Sequence, residues 1–367
     1  MMMQTLAILG AAYRELNARK LFWLAIALSG AVVALFASLG INEQGVTFLT
    51  WTFDSAVFNS RLVPRETFYK LLFVSVGLEW WIGLLSTLLA LVTTAGIIPD
   101  LVSPGSVDMM LAKPISRTRL FLTKVGTGLL FTALQVSVFA LATVVAIGVR
   151  GGVWEWSLLV AVPLSVLFYS YLYCVCALVG VLTRSTVASL IVTLLFWALV
   201  FAVHSAESIS TFGRVGTGLE LQKVTERIEA LEKSVPEGAS AEEDEDVAEL
   251  ERLRERRVAV ADAAEKWNEA HWWFYTTMTV LPKTAETLSL AERWLVEAAA
   301  LPRPDEDEPV RGPRRAFVSR EVRRGDFSRA LEDEARSRSV WWIVGTSLLF
   351  EAAVLGLATR IFVRRDY

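Results

Sequence analysis

Cysteine and histidine are both scarce, with two of each in 367 residues. Cys174 and Cys176 lie two positions apart, so on a helix their thiols point about 200° apart and do not pair with each other easily. No Cys/His set has metal-ligand spacing, and no GxSxG, HExxH or GxxxxGK[ST] pattern occurs. A zinc site, a hydrolase elbow and a phosphate loop therefore have no support in the chain. Charge is also sparse, at 20% of residues against 54% hydrophobic, with a mean hydropathy of +0.45. The net charge of −3 is too near zero to suggest a nucleic-acid partner.

The apolar residues are concentrated in runs. Between Lys20 and Glu43 no charged side chain occurs, and the run is long enough to cross a hydrocarbon core about 30 Å thick. It exceeds the apolar region of a signal peptide and no small-x-small site closes it, so it reads as a span, not a cleaved leader. Further runs lie at 71–99, 125–149, 156–183, 185–206 and 340–359, broken only by Glu79 in the first of these and Glu351 in the last. The expectation is an all-α integral membrane protein with six transmembrane helices.

Orientation follows from the Lys/Arg bias of short loops. With the N-terminus inside, the inner pieces hold Arg14, Arg19, Lys20, Lys113, Arg117, Arg119, Lys124, Arg184, Arg360, Arg364 and Arg365, whereas the short outer loops hold only Arg61, Arg65, Lys70 and Arg150. Both termini are expected in the cytoplasm. The chain then divides into 1–206, with five spans and a cytoplasmic loop at 98–120; an extracytoplasmic insertion at 207–338; and 339–367, with the sixth span and a basic tail. The insertion carries 21 Lys+Arg and 29 Asp+Glu, so the near-neutral total conceals a basic membrane part and an acidic outer one.

The insertion has its own pattern. Leu221, Val224, Ile228, Leu231 and Val235 repeat at helical spacing, an acidic tract follows Pro236, and Val247, Leu250 and Leu253 resume the stripe. That reads as a helical hairpin over 219–260. An aromatic stretch from Trp267 to Tyr275 reads as an interfacial belt. PRPDEDEP at 302–309 reads as a linker, and an Arg-rich segment runs from Arg311 to Arg338.

The loop AGIIPDLVSPGSVDMMLAKPISRTRLFLTK at 95–124 is chemically specific. Pro99 is expected to stop the second span, Ser103 to cap a short helix over 104–112, and Pro114 to end it. Val107, Met110 and Leu111 form one apolar face, and Ser116 caps the helix that becomes the third span. The product is a short amphipathic helix lying along the membrane surface.

This segment resembles the loop between the second and third spans in permease subunits of ABC-2 type ATP-binding-cassette transporters. The matching positions are Ile98, Pro99, Asp100, Gly105, Ser106, Val107, Asp108, Leu111, Lys113, Pro114, Ile115, Ser116 and Arg117. YRELNARKLFW at 13–23 is similar to the basic segment leading into that family's first span, and HWWFYTTMTVLPKTAE at 271–286 to its outer helices that dip back toward the bilayer. The size of the insertion departs from the family.

The resemblance implies an exporter subunit of the cell inner membrane, paired as a homodimer or with a sister permease, surrounded by membrane lipids and driven by a separate ATP-binding-cassette ATPase. No cofactor is expected on this chain and ATP would be bound by the partner. The coupling residues implied are Pro99, Asp100, Gly105, Ser106, Val107, Asp108, Met110, Leu111, Lys113, Pro114, Ser116 and Arg117, with Lys113, Arg117 and Arg119 at the rim of a groove in the ATPase. The chain itself is not expected to be an enzyme. Two alternatives from other classes are a non-transporting scaffold that relays force to an outer partner-binding hairpin, and a gradient-driven secondary transporter. Glu351 and Glu79 are the intramembrane polar candidates, because a charge at mid-bilayer is costly and is retained for a partner or a function.

Overall fold

A computed structural model describes residues 20–54, 60–61, 63–103, 116–234, 245–295 and 322–365. Uncharged runs become helices because a helix satisfies every backbone polar group internally, which hydrocarbon demands. Five helices are long and apolar enough to cross a membrane: α2 (Arg65–Leu101), α3 (Arg117–Gly151), α4 (Trp156–Thr183), α5 (Thr186–Ser234) and α9 (Val340–Arg364). The first helix, α1 (Lys20–Ser38), is shorter in its apolar part, Phe22–Ser38.

α1 ends at Ser38, before the uncharged run does, because the chain turns into a three-stranded antiparallel meander. Its strands are β1 (Leu39–Ile41), β2 (Gly45–Phe48) and β3 (Trp51–Asp54), with Leu39 opposite Phe48 and Phe48 opposite Trp51. Asn42 makes the first turn: its Oδ1 accepts from Gln44 N at 2.9 Å and Gly45 N at 2.8 Å. The sheet corrects the all-α expectation locally. The β-branched and aromatic content of VTF and WTF was its signal.

Within α2 the backbone is α-helical over Arg65–Leu72, π-wound over Phe73–Ser86 and α-helical again over Thr87–Thr94, and a last short helical piece covers Ile97–Leu101. Pro99 therefore does not stop the second span. It stands in the first turn of that last piece, where a backbone N–H would have no helical partner to lose. The hydroxyl of Ser103 donates backward to Asp100 O at 2.8 Å, and the helix it is expected to cap lies outside the described residues.

α4 and α5 are joined by a two-residue turn in which Arg184 takes a left-handed conformation (φ 54°) and Ser185 Oγ accepts from Ala188 N at 3.3 Å. α5 then runs unbroken for 49 residues. The sequence reading ended this span at 206 and began a separate hairpin near 219. The helix continues because no proline interrupts it and because Glu207, which reads as a stop, is satisfied inside the fold. α6 (Glu245–Val280) is the returning arm, and Pro282 separates it from α7 (Thr284–Leu295). α8 (Arg324–Ser337) precedes α9.

The chain forms two compact units. The first comprises the described parts of Met1–Val200, Pro282–Pro302 and Ile343–Tyr367. α3 packs on α1 and α4 there, and α7 packs on α4. Its core is aromatic, with Phe22, Phe121, Phe131, Tyr169 and Tyr173 buried together. Hydroxyls in the spans bond back to their own helix, as Thr94 does to Ala90 O and Thr193 to Ser189 O, both at 2.7 Å. Tyr173 lies so close to Gly128 that a Cβ there would stand 2.5 Å from its ring.

The second unit comprises the described parts of Phe201–Leu281 and Arg303–Trp342. Val224, Ile228 and Leu231 of α5 pack on Leu250 and Leu253 of α6. The arms are stitched by Arg227–Glu249, Arg254–Glu232 and Arg256–Glu220. A second cluster joins Val322 and Phe327 to Phe212, Val215, Leu219 and Leu331. The described part of Pro282–Pro302 groups with the first unit, although it lies within the expected insertion at 207–338.

Candidate functional site

Of the expected coupling residues, Gly105, Ser106, Val107, Asp108, Met110, Leu111, Lys113 and Pro114 lie outside the described residues. Both ends of the segment are described. At its start, Ile98 and Pro99 are buried against α4 at Gly180, where a Cβ would stand 3.1 Å from Pro99 Cδ and 3.3 Å from Ile98 Cβ. Asp100 is exposed, and its N–H continues the helix to Gly96 O at 2.9 Å.

At its end, Ser116 is the N-cap of α3, accepting from Arg119 N at 3.4 Å. Arg117 reaches across to the last turn of α9, where Nη1 donates to Val363 O and Arg365 O, both at 3.2 Å. Arg365 in turn donates Nη1 to Val181 O at 2.6 Å and Leu182 O at 3.3 Å, in the last turn of α4. The final carbonyls of a helix have no intrahelical partner and carry its negative dipole end, so each guanidinium is matched to its acceptors in both number and charge. The start of the 104–115 segment thus packs on α4 at Gly180, and its end is bonded to the terminus of α9, which Arg365 in turn links to residues 181–182 of α4. Arg117, expected at the rim of a partner's groove, is engaged inside this chain.

The intramembrane carboxylates fare differently. Glu351 on α9 is half-buried and accepts from Ser170 Oγ of α4 at 2.8 Å. Tyr171, beside that serine, neighbours Glu351, Thr287 of α7 and Ser347 of α9. Ser347 Oγ also accepts from Lys283 N at 2.9 Å. A polar seam therefore joins α4, α7 and α9 through Glu351, which is the interhelical role a membrane carboxylate most often has. Glu79 is exposed in the π-wound part of α2, and Glu292 of α7 is its acidic neighbour. The structure does not bring the two candidates together.

The sequence reading missed two other groups. Lys283, between α6 and α7, is 1% exposed. Burial pushes its ammonium down to about 8, while the nearby Glu286 carboxylate pulls the other way. Lys283 falls inside 271–286, the stretch similar to outer helices that dip toward the bilayer, and nothing in its spacing marks it as buried. In the second unit, Glu207 is 2% exposed and takes Arg338 as a two-pronged partner, with Nη2 on Oε1 and Nη1 on Oε2, and Thr211 Oγ1 donates to Oε1 at 2.9 Å. His271 Nε2 stands 3.4 Å from the same oxygen. Glu207 and Arg338 are the boundary residues of the insertion, so each was read as an end of the domain and their pairing had no local signal.

Among the described residues no group of three or more His, Cys, Asp or Glu is arranged to hold a metal ion. Comparison with protein-family models, with curated proteins and with solved structures finds no match.

Proposed function

We propose that the chain is the membrane-spanning permease subunit of an ABC-2 type ATP-binding-cassette exporter. It works as a dimer with a second copy or a sister permease, and its ATPase is a separate chain. α1 is the first of six spans, both termini face the cytoplasm, and the membrane is the cell inner membrane. The observation that carries the reading is that Ile98–Pro99 pack on α4 at Gly180 while Arg117 bonds the terminus of α9, which Arg365 links to residues 181–182 of α4. A coupling element must be held at both ends by rigid spans to pass on a push, and this one is held at one end by α4 and at the other by α9.

Two further features support the reading. α7 is a short helix packed on α4 among the spanning helices, as an outer segment dipping back toward the bilayer would be. Val187, Ile191, Leu195 and Leu199 form an exposed apolar stripe on α5 at four-residue spacing, suited to lipid or a second permease copy.

The first test is whether a reading frame beside this one encodes a Walker-motif ATPase, and the second is co-expression of that ATPase with this chain. Replacing Val107, Met110 and Leu111 with Asp is expected to abolish co-purification. Retained association would sink the coupling assignment.

A second reading, a non-transporting relay to an outer partner, is favoured by one observation: α5 runs unbroken from an apolar stretch into the charged hairpin. Deleting 219–260 separates the two. A transporter keeps ATPase-coupled export of its substrate, whereas a relay keeps ATPase binding and loses its output.

A further inference from the structure

The second unit contains a cavity of about 320 Å³ whose wall combines guanidinium groups with stacked aromatic rings. Two arginines line it and they are satisfied very differently. Arg338 places both terminal nitrogens on the two oxygens of Glu207, with its guanidinium carbon 5.9 Å from the Tyr275 ring centre. Arg214 meets only Glu334, Nη2 to Oε1 at 2.5 Å, and its buried Nε has no hydrogen-bond acceptor among the described residues. His271 Nε2, also on the wall, is buried without a hydrogen bond of good geometry.

A guanidinium presents five donors in a planar fork, and a buried donor of a charged group left unmade is costly. Arg214 thus holds unused, directed hydrogen-bonding capacity at the cavity. The rest of the wall is flat and aromatic: Tyr275 stacks on Trp342 at 5.1 Å with 4° between planes, and on His271 at 5.7 Å with 23°. Trp342 stands in the first turn of α9, next to Trp341, which is 87% exposed, and Trp272 and Trp273 beside His271 are also exposed. Tryptophan and tyrosine at the entry of an apolar helix mark the depth of lipid headgroups.

We infer that this cavity is a binding site for the phosphate of a membrane phospholipid headgroup, with the anion held by the Arg214 fork and the body of the headgroup lying along Tyr275 and Trp342. Arginine is the side chain whose fork matches phosphate oxygens in pairs. Binding displaces Glu334, the carboxylate that Arg214 meets among the described residues, so that residue competes with the ligand. The inference rests on α9 crossing the membrane and is independent of the ATPase-coupling reading.

The test titrates purified full-length protein in detergent with dihexanoyl phosphatidylglycerol and, separately, with inorganic phosphate, following heat release. The lipid is expected to bind saturably, once per chain, and about tenfold more tightly than inorganic phosphate. Arg214→Gln should weaken lipid binding about tenfold, as loss of a charge-assisted hydrogen bond does. Glu334→Gln should tighten it several-fold, a gain that a merely structural ion pair would not produce. This second variant also decides the matter should Arg214→Gln fail to fold. Equal or tighter binding of inorganic phosphate would overturn the headgroup as the source, and unchanged or weaker lipid binding in Glu334→Gln would overturn the site.

Discussion

The two halves of α5 meet opposite surroundings with one continuous backbone. Over Thr186–Val200 the exposed residues include Val187, Ile191, Leu195 and Leu199, and the buried ones include Ser189 and Thr193. Over Glu220–Ser234 the pattern reverses: Val224, Ile228 and Leu231 are buried, and Glu220, Arg227 and Glu232 form ion pairs with α6. The same 3.6-residue period therefore carries inverted polarity, which is what a helix running from hydrocarbon into water requires. Buried charge sharpens the contrast. The second unit encloses a bidentate Glu207–Arg338 pair, whereas the first buries Lys283 with its charge only partly offset.

The largest effect should come from breaking the enclosed pair. Arg338→Met leaves Glu207 buried and uncompensated, and about 3–5 kcal/mol of stability should be lost, read from chemical denaturation followed by circular dichroism. Combining it with Glu207→Gln should recover most of that loss. A charge introduced on the lipid-facing stripe comes next. Leu195→Asp should cost about 3 kcal/mol of insertion, seen as reduced membrane-integrated yield, and no loss would mean that this half of α5 stands in water.

Lys283 gives a smaller, pH-dependent effect. Its folded-state value, near 8, lies below that of an unfolded lysine, so the unfolded chain binds more protons in between. Stability should therefore rise as pH increases from about 8 toward 10.5, and below 8 the full cost of the buried ammonium remains. Thermal melts in detergent should show this rise in the native chain and a flat profile in Lys283→Met. The smallest change is expected at Arg227→Ala, where the pair with Glu249 is solvent-exposed and worth no more than about 0.5 kcal/mol.

Most of the spanning helices were legible because charge-free runs have sharp ends: Arg117, Thr183 and Arg364 bound helices close to where the charges placed them. What stayed hidden depended on partners distant in sequence. Glu207 reads as the end of a span until Arg338, 131 residues later, is seen to neutralise it. Pro99 reads as a stop until its place in a first turn, packed on Gly180, makes it compatible with helix. The meander at Leu39–Asp54 was hidden for the opposite reason: its first strand lies inside the apolar run that ends at Glu43, and the VTF and WTF strands beyond it are too short to stand out. For the candidate coupling segment, the caps and prolines at its ends were readable, whereas the guanidinium relay from Arg117 through Arg365 to α4 joins residues far apart in the chain.

The proposed topology puts the charged unit outside the membrane and the coupling segment inside. The direct measurement is labelling by a membrane-impermeant maleimide in intact spheroplasts, using chains in which Cys174 and Cys176 are replaced by Ser. A single cysteine introduced by Lys266→Cys, at an exposed site on α6, should react fully before lysis, and one introduced by Arg119→Cys, at the start of α3, only after it. Protection of the Lys266→Cys chain in intact spheroplasts, or labelling of the Arg119→Cys chain, would contradict the account.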